Sequence, residues 1–436
     1  MNIVYKAYNF LITGFFFVFS PPFWLYTRIT GRYRDGIHQR LGFYPKSVVD
    51  RISGSPKIWL HAASVGEVSA AVAIIESLKR LIPHCAIILS TTTEHGQTSA
   101  RDKLQSKATC VYAPIDFIVS VRKALSTIRP DILVCLETEI WPNWLFEARR
   151  MGVRLALVNG RISVRSIKGY LKIRCLIREA LRQVESFSMI READAQRLML
   201  LGVPREKIVV NGNAKFDLLL PMADASIKGE IEKFYNLNGN IPVFVAGSTR
   251  GSEHEIVVDV YEKILETLPE TLLIIAPRHL ERVRYIKNMV IRRGFSCQFK
   301  TDIDKPGGFR TASVVIMDTI GDLQSTYSIA SIVFCGGSLA PLGGQNILEA
   351  AVWGKPVLYG PSMDDFLDAK ALLDKTGGGI QVKDGRELTE RALYYLTHPA
   401  EADAVGRLAK EAVMLNKGAA DNHADVICRL LNPNLS

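Results

Sequence analysis

Residues 332–353 read IVFCGGSLAPLGGQNILEAAVW and indicate the class of fold. The apolar run 332–335 is typical of a buried strand, and the segment 347–353 is typical of a helix. Four glycines in the turn between them leave much of its backbone without side chains. A strand, a glycine-rich turn and a helix in this order indicate a βα unit of an α/β fold.

This glycine-rich turn is a candidate phosphate site. Amides at a helix N-terminus carry partial positive charge, and a backbone without side chains lets a phosphate approach closely. We therefore predict a nucleotide or sugar-phosphate site here, with a tight turn before an amphipathic helix as the alternative interpretation. The spacing is neither GxGxxG nor GxxxxGK[ST], so it indicates neither a nicotinamide enzyme nor an ATPase.

The same unit recurs in both halves of the chain. Strands that are buried on both faces of a parallel sheet form continuous apolar runs. Such runs predict strands at 58–61, 86–89, 132–136, 155–158, 208–210, 243–246, 272–276, 314–317, 332–335 and 356–359. Helical patterns lie between them, including 67–81, 142–151, 253–268 and 280–293.

The length of 436 residues fits two domains of about 200 residues each. We predict an α/β fold with two Rossmann-like, doubly wound parallel-sheet domains, at 31–220 and 221–436. The last helix is expected to be able to pack back on the first domain. Ligands of such folds bind beyond the carboxyl ends of the strands, so the reactive site is expected in a cleft between the domains.

The composition is that of a folded globular protein, with 48% hydrophobic and 22% charged residues. Neither a disulfide framework nor a zinc site is indicated, because the cysteines lie far apart and form no CxxC pair. This pattern is typical of a reducing, cytosolic environment. The seven cysteines are Cys85, Cys110, Cys135, Cys175, Cys297, Cys335 and Cys428.

The segment 8–26, YNFLITGFFFVFSPPFWLY, contains no charged residue. Pro21-Pro22 predicts a helix break near Ser20, which leaves a segment shorter than the ~20 residues that span a bilayer. A buried core helix and a signal peptide are the alternatives; the latter is disfavoured because no small-x-small cleavage site follows. We predict a membrane anchor at residues 1–30. Basic residues after it place the body on the cytoplasmic side; they are Arg28, Arg32, Arg34, Arg40 and Lys46.

The net charge of +10 is partly concentrated between residues 161 and 182. Seven basic residues there recur at spacings of three or four, which gathers most of them on one side of a helix. A solvated surface helix is one interpretation, and attraction to anionic headgroups or a phosphorylated lipid is the other. No nucleic-acid reader motif is present, so nucleic acid is not a predicted partner. The residues are Arg161, Arg165, Lys168, Lys172, Arg174, Arg178 and Arg182.

Two predicted strand ends in the first half carry acids. Glu67 follows the first strand, where Ser64-x-x-Glu67 is a capping-box pattern and a carboxylate that deprotonates an acceptor hydroxyl is the functional alternative. Glu137 and Glu139 follow another strand and precede Pro142, an ordinary helix start. Together with two tryptophans they also offer a sugar ring hydrogen-bond acceptors and a stacking face.

Strand ends in the second half carry groups that bind anions. Arg250 lies in the turn 246–252, and Arg278 with His279 follows the next strand. Arginine can grip phosphate or carboxylate with two hydrogen bonds, although lone arginines more commonly form surface ion pairs. The turn 317–323 is of the same kind. Because several strand ends carry groups of this kind, we predict that they contribute to one shared anion-binding site.

Ten segments in order resemble the 3-deoxy-D-manno-octulosonic acid (Kdo) transferases of Gram-negative bacteria, glycosyltransferase family 30. They are HAASVGEVSAA, STTTEHGQ, YAPIDF, ETEIWPN, NGRIS, GNAKFD, AGSTRGSEHE, APRH, MDTIGDL and GGSLAPLGGQNILEAA. The resemblance implies a GT-B fold with an N-terminal membrane anchor, at the cytoplasmic side of the inner membrane. It also implies inverting transfer of Kdo from CMP-Kdo to a lipid A precursor, lipid IVA, with no cofactor and no required metal.

The resemblance also implies roles for individual residues. Glu67 of SVGE matches the general base, and Glu139 of ETEIWP matches a second functional acid, with Glu137 as the alternative candidate. A larger set matches the donor-binding residues: Ser248, Pro277, Arg278, His279, Ile320, Gly321, Gly343, Gly344, Asn346, Glu349 and Lys215. The chain departs from the family at Gln345, where histidine is common, and at Asp364-Asp365-Phe366, where Asn-Phe is usual.

Two other functions remain open at this point. One is another sugar-nucleotide enzyme of the same architecture, and the other is a membrane-associated binding protein without catalysis. The implied partners are CMP-Kdo, a phosphorylated lipid A precursor and the inner membrane through residues 1–30. The number of Kdo residues transferred and the oligomeric state are not indicated by any motif.

Overall fold

A computed structural model describes residues 3–30, 36–219, 224–237 and 241–432. The chain divides into two compact units. The first unit is Met1–Leu218 with Gly418–Ser436, and the second is Leu219–Lys417. The range 221–436 expected for the second domain therefore contains a C-terminal segment that the structure groups with the first unit.

The strands are short, and nearly all lie within buried apolar runs. In chain order they are β1 (Lys57–His61), β2 (Ala86–Thr91), β3 (Thr109–Tyr112), β4 (Ile132–Leu136), β5 (Arg154–Gly160), β6 (Ser186–Met189), β7 (Ile208–Val210), β8 (Val243–Thr249), β9 (Leu272–Pro277), β10 (Cys297–Phe299), β11 (Val314–Ile316), β12 (Ile332–Cys335), β13 (Val357–Tyr359) and β14 (Gly379–Gln381).

The helices alternate with these strands. They are α1 (Ile3–Thr30), α2 (Ile37–Arg40), α3 (Lys46–Val49), α4 (Val65–Leu81), α5 (Glu94–Leu104), α6 (Ile118–Ile128), α7 (Pro142–Arg150), α8 (Val164–Lys172), α9 (Arg174–Leu181), α10 (Glu192–Leu200), α11 (Ala225–Phe234), α12 (Glu253–Leu265), α13 (Val283–Arg292), α14 (Lys300–Ile303), α15 (Leu323–Thr326), α16 (Leu348–Ala351), α17 (Leu367–Thr376), α18 (Gly385–Thr397), α19 (Pro399–Met414) and α20 (Ala419–Leu431).

Each unit contains one parallel seven-stranded sheet. The strand orders are β3-β2-β1-β4-β5-β6-β7 and β10-β11-β9-β8-β12-β13-β14. Successive side chains of β1 enter different apolar clusters: Trp59 packs in one, and Ile58 and Leu60 pack in the other. Because side chains alternate between the two faces of a strand, these clusters lie on opposite faces of the sheet. The prediction of doubly wound parallel sheets is confirmed.

The order in which strands are added to the sheet reverses at equivalent places in the two sheets. In the first, β1 lies between β2 and β4; in the second, β8 lies between β9 and β12. The chain runs outward from β1 or β8 on one side and then returns to start the other side at β4 or β12. Ligands of open α/β sheets bind at such a switch point, beyond the carboxyl ends of the strands. Ligands are therefore expected at the turns after β1, β4, β8 and β12.

Helix α20 completes the first unit. Ala420, Ala424 and Ile427 are buried in the same apolar cluster as Leu78 of α4. The Asp217 carboxylate accepts from the backbone N–H groups of Gly418 (2.9 Å) and Ala420 (2.6 Å), which satisfies donors at the helix start. Helix α4, which carries Glu67 in its first turn, is thus packed against α20.

Helix α1 runs through Pro21 and Pro22, so the predicted break near Ser20 is wrong. A proline removes one backbone donor and crowds the preceding turn, but the i to i−4 pattern can resume beyond it. The helix has 28 residues and is, within the described ranges, the one helix long and apolar enough to cross a membrane. Arg32 and Arg34 lie outside the described residues.

The basic segment 161–182 forms two helices and not one. Helix α8 ends before Ile173, whose φ of −115° and ψ of 31° interrupt the helical path, and α9 follows. Lys168, Lys172, Arg174 and Arg178 are exposed on these helices.

Candidate functional site

Three acids lie at the switch point of the first sheet. Glu67 is in the first turn of α4, directly after β1, and Glu137 and Glu139 follow β4. Since β1 and β4 are adjacent parallel strands, their carboxyl ends meet at one edge of the sheet.

Glu67 does not form the predicted reciprocal capping box. Its Oε2 accepts from the backbone N–H of Ala63 at 2.5 Å, and the Ser64 hydroxyl donates to its Oε1 at 3.2 Å. Ser64, the N-cap residue, accepts no hydrogen bond from a helix amide. The carboxylate therefore stabilises the turn but leaves acceptor capacity on both oxygens.

Burial raises the pKa of Glu67 to about 7, and repulsion from Glu137 and Glu139 adds to the increase. The hydrogen bonds from Ala63 and Ser64 oppose it. A carboxylate whose pKa lies near neutrality can accept a proton from a substrate hydroxyl and release it again. This is the behaviour that a general base requires.

Glu139 has the opposite electrostatic environment. The His61 ring nitrogen Nε2 lies 3.5 Å from Glu139 Oε2, and the Trp141 indole donates to the same oxygen at 2.6 Å. Burial alone would raise the pKa of Glu139, but the hydrogen bonds and charge of His61, with Trp141, lower it. Neighbouring carboxylates with pKa values moved in opposite directions are characteristic of acid–base sites.

His61 was not predicted as a site residue. It closes β1, is almost fully buried, and its Nδ1 lies 3.0 Å from the Ser90 hydroxyl of β2. A histidine that ends an otherwise apolar strand was the available sequence signal. The structure shows that this histidine orients toward Glu139.

Lys215 lies in the first unit. Its Nζ is 2.5 Å from Glu137 Oε1, so the lysine neutralises one of the three acids. Glu137 itself has a φ of 55°, which is uncommon for a residue other than glycine. Such strained positions are found disproportionately at functional sites, and here the strain occurs at the switch point.

A cavity of about 130 Å³ lies next to these acids. Arg40, His61, Asp116 and Trp141 contribute to its lining. The Arg40 guanidinium donates to the Thr92 carbonyl at 2.7 Å and stacks over Tyr112. The cavity combines a cation, an indole face and one acid, which are groups that bind a polar sugar ring.

The glycine-rich turn after β12 is filled by a side chain of its own unit. Glu253, fully buried at the start of α12, accepts from the backbone N–H groups of Gly337 (2.6 Å), Ser338 (2.9 Å) and Leu339 (2.9 Å). It also accepts from Arg250 N–H at 2.9 Å. The prediction that this turn presents bare amides is therefore wrong for residues 337–339, because a carboxylate already occupies the position of an anion.

Gly343 and Gly344 also have internal partners. The Gly343 N–H donates to the Ser362 hydroxyl at 3.0 Å, and the Gly344 N–H donates to the Gly337 carbonyl at 2.7 Å. Both residues have φ near +80°, and a Cβ at Gly343 would lie 2.3 Å from the Asp365 carboxylate. The geometry of the turn alone therefore accounts for glycine at both positions.

The structure brings three predicted donor residues together at the edge of the second sheet. The Asn346 amide donates to the Glu349 carboxylate at 3.2 Å. Burial raises the pKa of Glu349, while the Asn346 hydrogen bond and the charge of Arg278 lower it. The Arg278 side chain is exposed, and its backbone N–H donates to the Thr249 carbonyl at 3.0 Å.

Ser248 is the last residue but one of β8, beside Thr249, and has a φ of 53°. Like Glu137, it is a residue other than glycine in the left-handed region at the switch point of its sheet. The nearby Arg250 is partly exposed, and its guanidinium lies 3.4 Å from the Leu342 carbonyl of the glycine-rich turn.

The other predicted donor residues are less closely connected. Pro277 is buried at the end of β9, and His279 is exposed two residues later. Ile320 is 86% exposed, and Gly321 has a φ of 104° in the turn after β11. They share the carboxyl edge of the sheet with Arg278, but no hydrogen bond links them to it in the described ranges. Those ranges contain no group of three His, Cys, Asp or Glu side chains that could hold a metal ion.

Comparison with known proteins identifies the chain. The model of the 3-deoxy-D-manno-octulosonic-acid transferase (kdotransferase) family matches residues 35–218. A 3-deoxy-D-manno-octulosonic acid transferase of Haemophilus influenzae is 28% identical over 93% of both chains. One from Rickettsia felis is 31% identical over 86% of this chain and 79% of its own.

Two further matches concern length and fold. A bifunctional glycosyltransferase/methyltransferase of Fusobacterium nucleatum is 33% identical over 76% of this chain, which spans only 51% of that relative. The solved UDP-GlcNAc 2-epimerase of Neisseria meningitidis, bound to UDP-GlcNAc, has a TM-score of 0.61 at 14% identity and covers 87% of this chain and 100% of its own. This likeness shows the fold.

Two doubly wound parallel sheets in one chain, with neighbours of this kind, define a GT-B-type fold. The chain belongs to the family of 3-deoxy-D-manno-octulosonic acid transferases. The sequence resemblance to that family is confirmed.

Proposed function

We propose that this protein moves Kdo from CMP-Kdo to a phosphorylated lipid A precursor, lipid IVA, with inversion at the anomeric carbon. The observation that carries the proposal is that Glu67 and the His61-bound Glu139 meet at the switch point of the first sheet, in a chain of this family. A base near neutrality beside an acid that stays ionised suits a reaction that deprotonates a hydroxyl and develops positive charge on a sugar carbon.

Glu67 is the proposed general base. The acceptor hydroxyl gives its proton to the Glu67 carboxylate as its oxygen forms a bond to the anomeric carbon of Kdo. On the opposite side of that carbon, the bond to the phosphate oxygen breaks and CMP leaves with the electron pair. Attack opposite to the leaving group inverts the configuration.

The other groups of the first unit assist this step. Glu139, kept ionised by His61, provides negative charge for the electron-poor sugar carbon. Lys215 neutralises Glu137 and is also a candidate contact for the Kdo carboxylate. The cavity beside Trp141 and Arg40 is the proposed place for the acceptor sugar.

The second unit is proposed to bind the donor. Arg278 is an exposed guanidinium whose charge acts on Glu349, the hydrogen-bond partner of Asn346, and a phosphate can accept two hydrogen bonds from it. Because the amides of Gly343 and Gly344 are already engaged, we assign the phosphate to Arg278, with Ser248, Pro277, His279, Ile320 and Gly321 around the nucleotide. A well-placed donor of this kind is worth about 3–4 kcal/mol to the departing anion.

The proposed location is the cytoplasmic side of the inner membrane. Helix α1 is long and apolar, and exposed basic residues on α8 and α9 belong to the same unit. Together they would hold the body near an acceptor that is itself a phosphorylated lipid.

The test is to incubate the purified protein with CMP-Kdo and a tetra-acylated lipid A precursor, and to weigh the products by mass spectrometry. We expect CMP release and a lipid product heavier by one or more Kdo units. Parallel reactions with UDP-sugars are the control for another sugar-nucleotide enzyme. Turnover of a UDP-sugar without turnover of CMP-Kdo would refute the proposal, and the anomeric configuration of the product tests inversion.

A further inference from the structure

Helix α1 has two faces with different environments. Tyr5, Phe16 and Thr27 are separated by 11 residues each, which is close to three helical turns, so they lie on one face. Tyr5 and Thr27 are buried, at 2% and 4% exposure. Phe16 stacks on Phe117 of the first unit with ring centroids 4.3 Å apart and planes within 6°.

Polar contacts fix the same face to the folded unit. The Tyr5 hydroxyl donates to Glu147 Oε1 at 3.0 Å, and the Tyr8 hydroxyl donates to Asp116 Oδ2 at 2.6 Å. The Tyr5 ring also stacks on Phe146, with centroids 4.0 Å apart. Helix α1 is therefore attached to the first unit from Tyr5 to Phe16.

This attachment limits how the helix can meet a bilayer. Crossing the hydrocarbon core of about 30 Å takes about 20 helical residues. Beyond Phe16, residues 17–30 have a helical length of about 21 Å at 1.5 Å per residue. A perpendicular crossing would thus require Tyr5, Tyr8 and Phe16 to leave their partners.

The opposite face of α1 is apolar and exposed. Phe10 is 80% exposed, Leu11 68%, Val18 66% and Ile29 75%. Contiguous apolar surfaces of this kind mark sites that are covered by a partner or a membrane. The face extends along most of the helix, which suits a surface that is parallel to the helix axis.

Helices α8 and α9 lie near α1. Helix α9 contacts α1, and the two short helices expose Leu171 and Ile173 beside Lys172 and Arg174. Apolar side chains flanked by lysine and arginine are characteristic of segments that lie in the headgroup region of anionic membranes.

We propose that α1 lies in the plane of a single leaflet and does not cross the bilayer, with α8 and α9 beside it on anionic headgroups. This inference rests on the proposed membrane location and specifies its geometry. Both ends of α1 are then on the side of the membrane that holds the folded units.

Cysteine labelling tests the topology. In a Cys175→Ser background, Ile3→Cys places a thiol at the start of α1, and Glu266→Cys places one on the second unit as a matched control. With a membrane-impermeant maleimide, we expect both thiols to react only after the inner membrane is permeabilised. Reaction of Ile3→Cys in intact cells, with Glu266→Cys still protected, would overturn the in-plane geometry.

Vesicle sedimentation tests the surface. The double variant Phe10→Asn with Leu11→Asn should weaken binding to phosphatidylglycerol-containing vesicles about tenfold or more, because two exposed apolar side chains that would enter the leaflet are lost. Leu415→Asn, at a 63% exposed leucine of the second unit, is the control and should bind unchanged. Equal binding of all three proteins would refute the role of this face.

These outcomes are separable from the proposed activity. A chain that transfers Kdo but is labelled at residue 3 in intact cells would contradict only the in-plane geometry. A chain that is protected at residue 3 but transfers no Kdo would contradict only the transferase proposal.

Discussion

Equivalent turns of the two sheets use a glutamate in opposite ways. Glu67 follows β1 and Glu253 follows β8, the strands at the two switch points. Glu67 accepts one backbone N–H and faces two other acids, whereas Glu253 accepts four backbone N–H groups from its own unit. The same residue type in the same topological place is thus the proposed general base in one unit and a partner of backbone amides in the other.

The difference teaches that the neighbours of a carboxylate decide its use. Glu67 has too few donors to compensate for burial and repulsion, so its pKa rises to about 7. Glu253 accepts four backbone N–H groups, so its two oxygens are occupied by donors of its own unit. Substitutions that remove either carboxylate, or change the charges around it, test this comparison.

The largest expected effect is that of Glu67→Gln. Loss of a general base lowers kcat by about 10²–10⁴-fold. Because glutamine keeps an oxygen for the Ala63 amide, folding should be retained, and CMP binding by calorimetry should be unchanged. The matched control is Glu76→Gln on the same helix, whose carboxylate pairs with Lys107 at 2.7 Å on the surface. Equal kcat in the Glu67 variant and the wild type would remove Glu67 from the mechanism.

Glu253→Gln should act on stability and donor binding. Its amide group would point at backbone donors, so the free energy of unfolding in urea should fall by about 1–3 kcal/mol. A loosened glycine-rich turn should also raise KM for CMP-Kdo more than it lowers kcat. Glu255→Gln, at an exposed position of the same helix, is the control and should match the wild type. An unchanged stability of the Glu253 variant would contradict the assigned role.

The pH profile should report the environment of Glu67. A base must be ionised to act, so kcat/KM should fall as the pH drops below about 7. Glu137→Gln removes one of the charges that raise the pKa of Glu67, and the acidic limb should therefore move to lower pH. The measurement is kcat/KM as a function of pH for the wild type and the Glu137→Gln variant. An acidic limb at the same pH in both would show that Glu137 does not influence the pKa of Glu67.

The smallest effect is expected at Ser248. Its φ of 53° is strained for serine and accessible to glycine, so Ser248→Gly should raise the free energy of unfolding by about 1 kcal/mol. Ser252→Gly, at a residue with φ of −70°, has no strain to release and should not stabilise the protein. Thermal or urea unfolding of both variants distinguishes the cases.

Much of the fold followed from the sequence because buried parallel strands have continuous apolar runs. β4, with five buried residues, is such a run and was predicted with its full bounds. β6 reads SFSM and β10 reads CQF, and both were missed because polar residues interrupt a short segment. In α1, local proline chemistry predicted a break that the helix does not show.

The candidate site was predictable only in part. The order of strands and turns placed Glu67, Glu139 and Arg278 at strand ends without structural knowledge. The sequence does not show that Glu253 fills the glycine-rich turn, since that contact joins residues 84 positions apart. Similarly, Lys215 was grouped with the donor residues, and its ion pair with Glu137 depends on the folded first unit.

The packing of α20 on α4 has a consequence for biosynthesis. Residues 419–431 are translated after the whole of the second unit, yet they cover the helix whose first turn carries Glu67. During synthesis, one apolar side of α4 therefore stays uncovered until residues 419–431 have been translated. The helix that carries the proposed general base is therefore covered last, and a nascent chain without residues 419–431 lacks this packing.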